Sequence, residues 1–184
     1  MREYPPLDRQ LLLDLLTRLG DRLTDDVEVT LVGGSAGMLT AELPASRTTV
    51  DCDVIRTEPE FGFAAVQQAA IEIAGQRGLA EDWLNDRVTQ LDILPPGWRR
   101  RRIATGTFGH LRVWCVSRLD LLAMKVYAGR LQDRTDVLDM KPNTEEIDFI
   151  RHYLDQLRVP SRKADLDQVQ SAFRFLHALT GETR

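Results

Sequence analysis

Two cysteines in 184 residues, Cys52 and Cys115, leave no material for a disulfide-stapled secreted scaffold or a four-cysteine zinc site. Both lie in apolar runs, and Cys52, whose side chain points away from the acids on either side of it, reads as a small core residue. The three histidines, His110, His152 and His177, show no metal-ligand spacing. No stretch reaches the roughly 18 apolar residues that a membrane span needs, and the start, Met-Arg-Glu-Tyr-Pro-Pro, lacks the apolar core of a signal peptide. The expectation is a soluble, cytoplasmic protein with no membrane contact. An excess of positive charge is missing as well: 24 Lys plus Arg against 28 Asp plus Glu give a net charge of -4. That excludes a protein that coats nucleic acid non-specifically, while leaving room for a local basic patch. Repeats, low-complexity segments and linkers are absent too. What is present, 43% hydrophobic and 28% charged residues, suits a globular chain with its own core.

Leu7, Leu11, Leu12, Leu15, Leu16 and Leu19 recur at helical spacing, so residues 6–19 read as an amphipathic helix with Gly20 as its stop. Val27–Val32 alternates at period two and runs into Gly33-Gly34, and residues 35–43 can form a short helix that Pro44 ends. A strand over 49–55 follows, then a helix over 63–74 bounded by Gly75 and Gly78. Residues 88–94 and 111–116 read as further strands, the first with Asp92 opposite Leu91 and Ile93. Ser117 before Asp120 and Asn143 before Glu146 carry the spacing of capping boxes, for helices over 119–130 and up to about 157; a last helix is expected over 164–179. The pattern is an α+β fold, a small mixed sheet with flanking helices and a helical C-terminal part. It divides into a core over 1–140 and a helical extension over 141–184 packed on it.

The chemistry centres on Asp51 and Asp53. Two carboxylates at i and i+2 on a strand share one face, about 6 to 7 Å apart at Cα, while Val50, Cys52 and Val54 are expected to bury the other. Such a pair suits Mg²⁺, which takes one or two carboxylates together with substrate phosphates. Asp92 on a neighbouring strand is a candidate third ligand, which would let two metals grip the attacking and leaving oxygens of a phosphoryl displacement; Asp86 competes for that place. A bland alternative is a half-exposed strand with an acidic outer face. Gly33-Gly34-Ser35, between a strand and a helix, offers backbone N–H groups to a phosphate, although a strand-to-helix turn wants glycine in any case.

Gly33-Gly34-Ser35 followed by Arg47-Thr48-Thr49-Val50-Asp51-Cys52-Asp53 resembles the signature of the nucleotidyltransferase fold, also called polymerase beta-like. Asp82-Trp83-Leu84-Asn85-Asp86-Arg87, Leu121-Leu122-Ala123-Met124-Lys125 and Gln132-Asp133-Arg134-Thr135-Asp136 extend the resemblance, over about residues 28–140, to an uncharacterised bacterial nucleotidyltransferase-like family similar to the AbiEii-type toxin nucleotidyltransferases. The resemblance implies transfer of a nucleoside monophosphate from a nucleoside triphosphate (NTP), with Mg²⁺ or Mn²⁺, to an acceptor that in some such toxins is transfer RNA. It also implies an antitoxin partner in a toxin–antitoxin system. Carried onto this chain, it makes Asp51, Asp53 and, as the uncertain third member, Asp92 metal ligands. Gly33, Gly34, Ser35, Arg47 and Thr49 form the nucleotide-binding set, Lys125 meets the phosphates, and Asp136 is a late catalytic or orienting acid.

Lys125 has support of its own, since it lies in the apolar stripe of its helix with Leu121 and Leu122, where a lysine needs an anionic partner, Asp136 among the candidates. Arg99-Arg100-Arg101-Arg102 behind Trp98 is the one dense positive patch, and suits a solvated edge, an RNA backbone with Trp98 stacking on a base, or an acidic antitoxin. Trp83 and Trp114 read as core aromatics. Three rival readings differ in strength. Gly33-Gly-Ser-Ala-Gly37 satisfies the Gly-x-Ser-x-Gly elbow of serine hydrolases, but only one strand precedes it and no His-Gly-Gly-Gly loop lies upstream. A dinucleotide fold lacks its Gly-x-Gly-x-x-Gly. The stronger rival is a degenerate nucleotidyltransferase-fold protein that binds nucleotide or a protein partner without catalysis.

Overall fold

The computed structural model describes residues 4–91, 93–159 and 164–181. The chain forms two compact units, one of residues up to Thr89 together with Arg102–Val116, the other of Gln90–Arg101 together with the chain from Ser117 onward. The crossings fall at 89/90, 101/102 and 116/117, against the single division expected at 140/141.

The first unit contains a five-stranded mixed sheet. Its elements are α1 (Arg9–Arg22), β1 (Val27–Val32), α2 (Gly33–Leu39), β2 (Cys52–Glu58), α3 (Phe63–Arg77), β3 (Leu84–Asn85), β4 (Ile103–Phe108) and β5 (Leu111–Cys115). The strand order is β3-β2-β1-β5-β4, with β1 antiparallel to β2 and parallel to β5. Alternate residues Val27, Val29 and Leu31 of β1, Cys52 and Val54 of β2, and Leu111, Val113 and Cys115 of β5 are buried. This apolar face packs with the leucine stripe of α1, where Leu12, Leu15, Leu16 and Leu19 are fully buried, and with Val66, Ala70 and Ile73 of α3.

Several elements differ from their expectation for a physical reason. Gly20 does not stop α1, which runs on to Arg22. A Cβ at Gly20 would stand 1.6 Å from the Phe108 carbonyl oxygen, so the glycine is required by the close approach of α1 to the β4–β5 turn. The strand expected over 88–94 is not found among its described residues: Arg87–Leu91 is a 3-10 turn, and the outer edge of β2 is taken by Leu84–Asn85. β4 carries no clean alternation and holds Gly106 beside a bulge, so its place at the sheet edge was not visible in the pattern. Val50 does not bury a strand face; it is 74% exposed, since β2 begins only at Cys52.

The second unit is helical: α4 (Trp98–Arg101), α5 (Arg118–Ala128), α6 (Leu131–Met140), α7 (Thr144–Leu157) and α8 (Leu166–Thr180). The single helix expected over 119–130 ends at Ala128, where Gly129 takes φ +60 and lets the chain turn into α6. α5 packs against α6, α7 and α8 and is buried along all its length from Asp120 to Tyr127. Asn143 and Glu146 form the complete capping box that their spacing predicts.

Candidate active site

The end of β1 positions the site. Val32 pairs with Asp53 across β1 and β2, and the chain then bends at Gly33 with φ +70, a conformation that side chains with a Cβ disfavour. A Cβ at Gly33 would lie 3.2 Å from Asp53 Oδ2. At Gly34 the same atom would lie 3.1 Å from Thr49 Oγ1 and 3.5 Å from an Arg47 guanidinium nitrogen. The bend therefore touches three members of the expected set. Thr49 Oγ1 also donates to Asp51 Oδ1 at 3.4 Å, which ties the second acid to the same cluster. The segment before β2 is pinned by main-chain bonds from Leu7 N to Thr49 O (2.7 Å) and from Thr49 N to Leu7 O (2.9 Å).

A bulge decides which other groups share that face. Thr30 pairs with Arg56 but Leu31 pairs with Val54, leaving Ile55 as the extra residue. Strict alternation would put Asp53 on the face of Thr57; the extra residue puts it on the face of Arg56 and Glu58 instead. The polar face therefore continues from Asp53 into a charged network. Arg102 lies 4.4 Å over the Trp114 ring and within 3.6 Å of both Glu28 and Glu58, and Trp114 Nε1 donates to Glu28 Oε2 at 2.9 Å. Trp114 is thus a half-buried member of an ion network, whereas Trp83, 1% exposed, is the core aromatic expected.

Ser35 lies inside α2, fully buried, and its hydroxyl donates to Val32 O at 3.1 Å. A serine so enclosed is no exposed nucleophile, which disposes of the hydrolase elbow. Cys52 and Cys115 are buried thiols; burial pushes the first far above its ordinary range and the second up to about 12. Asp92 lies outside the described residues. Among the described residues no group of three or more His, Cys, Asp or Glu side chains is arranged to hold a metal ion. The carboxylates of Asp51 and Asp53 at the bend are the oxygen donor type that Mg²⁺ takes together with water and phosphate oxygens.

Sequence reasoning gave no task to Asn85. It is the register partner of Asp53 across the parallel β2–β3 pair, so the two side chains leave the sheet on one face. Asn85 is only 5% exposed; its Oδ1 accepts from Arg87 N and Arg87 Nε, both at 3.2 Å, and its Nδ2 has no hydrogen-bond partner among the described residues. A strand of two residues has no periodicity to display, and this explains the omission.

In the second unit Lys125 is 3% exposed, as its place in the apolar stripe predicts. Its ammonium donates to Asp136 Oδ2 at 2.5 Å and to Asp133 Oδ1 at 3.4 Å, and Gln132 Nε2 donates to Asp136 Oδ1 at 2.9 Å. The arginine run does not act as one patch. Arg101 makes a bidentate pair with the fully buried Asp120, at 2.6 and 3.2 Å, and Arg102 belongs to the sheet network. Arg99 and Arg100 are exposed, with Arg99 5.6 Å over Trp98.

A glycine bend set against paired acids, on a mixed sheet in an α+β chain, is what a nucleotidyltransferase-like protein presents. The chain belongs to the family described as a nucleotidyltransferase of unknown function (DUF6036), whose model matches residues 12–149, three quarters of its length. No curated protein and no solved structure matches it significantly. Among the described residues no helix is long and apolar enough to cross a membrane.

Proposed function

We propose that the protein is a metal-dependent nucleotidyltransferase that moves a nucleoside monophosphate from an NTP to an acceptor. The observation that carries this reading is the approach of Asp53 Oδ2 to within 3.2 Å of where a Gly33 Cβ would stand, with Thr49 linking Asp51 to the same bend. Asp51 and Asp53 would hold Mg²⁺ or Mn²⁺, and the cation, when bound, offsets the negative charge of the triphosphate. Gly33 and Gly34 let Asp53 and Thr49 close on the bend, so that a cation held there would bring a polyphosphate to the main chain, and Arg47 beside Gly34 adds a positive group. Ser35 supports the bend through its bond to the Val32 carbonyl.

Lys125 and Asp136 enter in a narrower form. Their pairing ties α5 to α6 inside the second unit, and a contact of Lys125 with phosphate requires its ammonium to exchange Asp136 and Asp133 for the ligand. An RNA acceptor, transfer RNA among the candidates, is supported by the exposed Arg99 and Arg100 beside Trp98. A toxin role with an antitoxin partner rests on the sequence resemblance.

The test is incubation with each labelled ribonucleoside triphosphate, Mg²⁺ and total RNA. The wild type is expected to label RNA or itself. Asp51→Asn combined with Asp53→Asn is expected to abolish labelling while the melting temperature holds or rises, because repulsion between two unmetallated acids is relieved. Undiminished transfer by the double variant would refute the assignment. Stabilisation of the wild type by an NTP without any covalent label would favour the non-catalytic binding protein.

A further inference from the structure

The bend and the two acids account for a cation beside the main chain, but not for Asn85. A buried amide nitrogen without an acceptor is costly, and it persists in a folded protein when a ligand completes it or another need outweighs it. Its orientation follows from its neighbours. Arg87 N and Arg87 Nε are both donors, so the side of Asn85 that faces them is the oxygen; a flipped amide would set donors against donors. Asp82 Oδ2 accepts from Arg87 Nη2 at 2.7 Å and steadies that guanidinium in turn. The NH₂ group is therefore turned away from Arg87, and Asp53 is the register neighbour of Asn85 on that sheet face.

What it can bind is limited by chemistry. An amide NH₂ donates and cannot ligate a cation, so Asn85 is not a third metal ligand. Its natural partner beside two cation-holding carboxylates is an oxygen of whatever anion the cation brings. Being neutral, it adds a donor there without adding a third negative charge to repel that anion. We propose that Asn85 Nδ2 donates a hydrogen bond to a phosphate oxygen of the metal-bound triphosphate, which makes Asn85 a substrate-binding residue. This rests on the nucleotidyltransferase reading and deepens it.

The experiment is calorimetric titration of wild type, Asn85→Ala and Asn85→Asp with inorganic tripolyphosphate and with each ribonucleoside triphosphate, in Mg²⁺, alongside melting of the unliganded proteins. Asn85→Ala removes the donor without introducing charge, and so remains informative if the carboxylate that Asn85→Asp buries prevents folding. Expected is an affinity at least tenfold weaker for tripolyphosphate and for every nucleotide the wild type binds, while unliganded Asn85→Ala still melts cooperatively, any fall in its melting temperature reporting the two hydrogen bonds that Oδ1 accepts from Arg87. Unchanged affinity in Asn85→Ala overturns the proposal while wild-type binding keeps the nucleotidyltransferase reading alive. A loss confined to nucleotides, with tripolyphosphate binding intact, also overturns it, since the contact would then be to sugar or base. A wild type that binds none of these ligands overturns both.

Discussion

Lys125 stands between Asp136 and Asp133 in the second unit with almost no solvent contact, and that position dictates what its loss would do. Two carboxylates, themselves 0% and 4% exposed, would be left close together without the cation between them. Breaking such a pair from one side costs about 3–5 kcal/mol, because the remaining charge stays buried. Lys125→Met is therefore expected to lower the urea midpoint by a matching amount, and adding Asp136→Leu is expected to recover part of it. If instead Lys125→Met unfolds like the wild type and loses only nucleotide binding, the lysine serves the ligand and not the fold. The acids at 51 and 53 illustrate the opposite case. Their spacing along the chain marked them as a pair, whereas no count of charges could say that Arg101 is spent on Asp120 and Arg102 on Glu28 and Glu58.

The start of α7 carries the clearest link between an element and pH. Glu146 is largely buried, which by itself would raise its pKa, but hydrogen bonds from Arg118 and from the Asn143 main chain outweigh burial and hold it below its ordinary value of 4.5. A carboxylate depressed on folding contributes its stabilisation in full above about pH 4.5, and loses it as pH falls through the lower folded value. Acid titration of stability should thus show a drop below pH 4.5 that Glu146→Gln diminishes. Asn143→Ala, which removes the other half of the capping box, is expected to cost about 1 kcal/mol at neutral pH by chemical denaturation. The box was legible in the sequence because caps are local, set by residues three apart. The bulge at Ile55 was not, because an extra residue in β2 is defined only against the register of β1.

At the scale of the whole molecule the chain leaves each unit and returns, so no single cut in sequence separates them. A chain ending at Met140, the boundary that the sequence proposes, would strip α7 and α8 from α5 and uncover Leu121, Leu122 and Val126, all buried in the complete protein. That exposure of contiguous apolar surface is expected to make residues 1–140 aggregate or to lose the cooperative unfolding of the helical unit, as read by circular dichroism melting and light scattering. A soluble 1–140 fragment that melts as sharply as the full chain would show that 141–184 is a true appendage.

The sequence by itself determined the features that nearest neighbours specify: the helical stripes, the caps at Ser117 and Asn143, and the strand that runs into Gly33-Gly34. Helical and strand periods, together with the free φ of glycine, are properties of a few consecutive residues, so they can be read without a partner. Tertiary structure alone decided that Asn85 stands beside Asp53, that β4 closes one edge of the sheet, and that Gly20 is there for Phe108. Strand register, edge pairing and close backbone approach depend on segments remote in the chain, and nothing within either segment records the other.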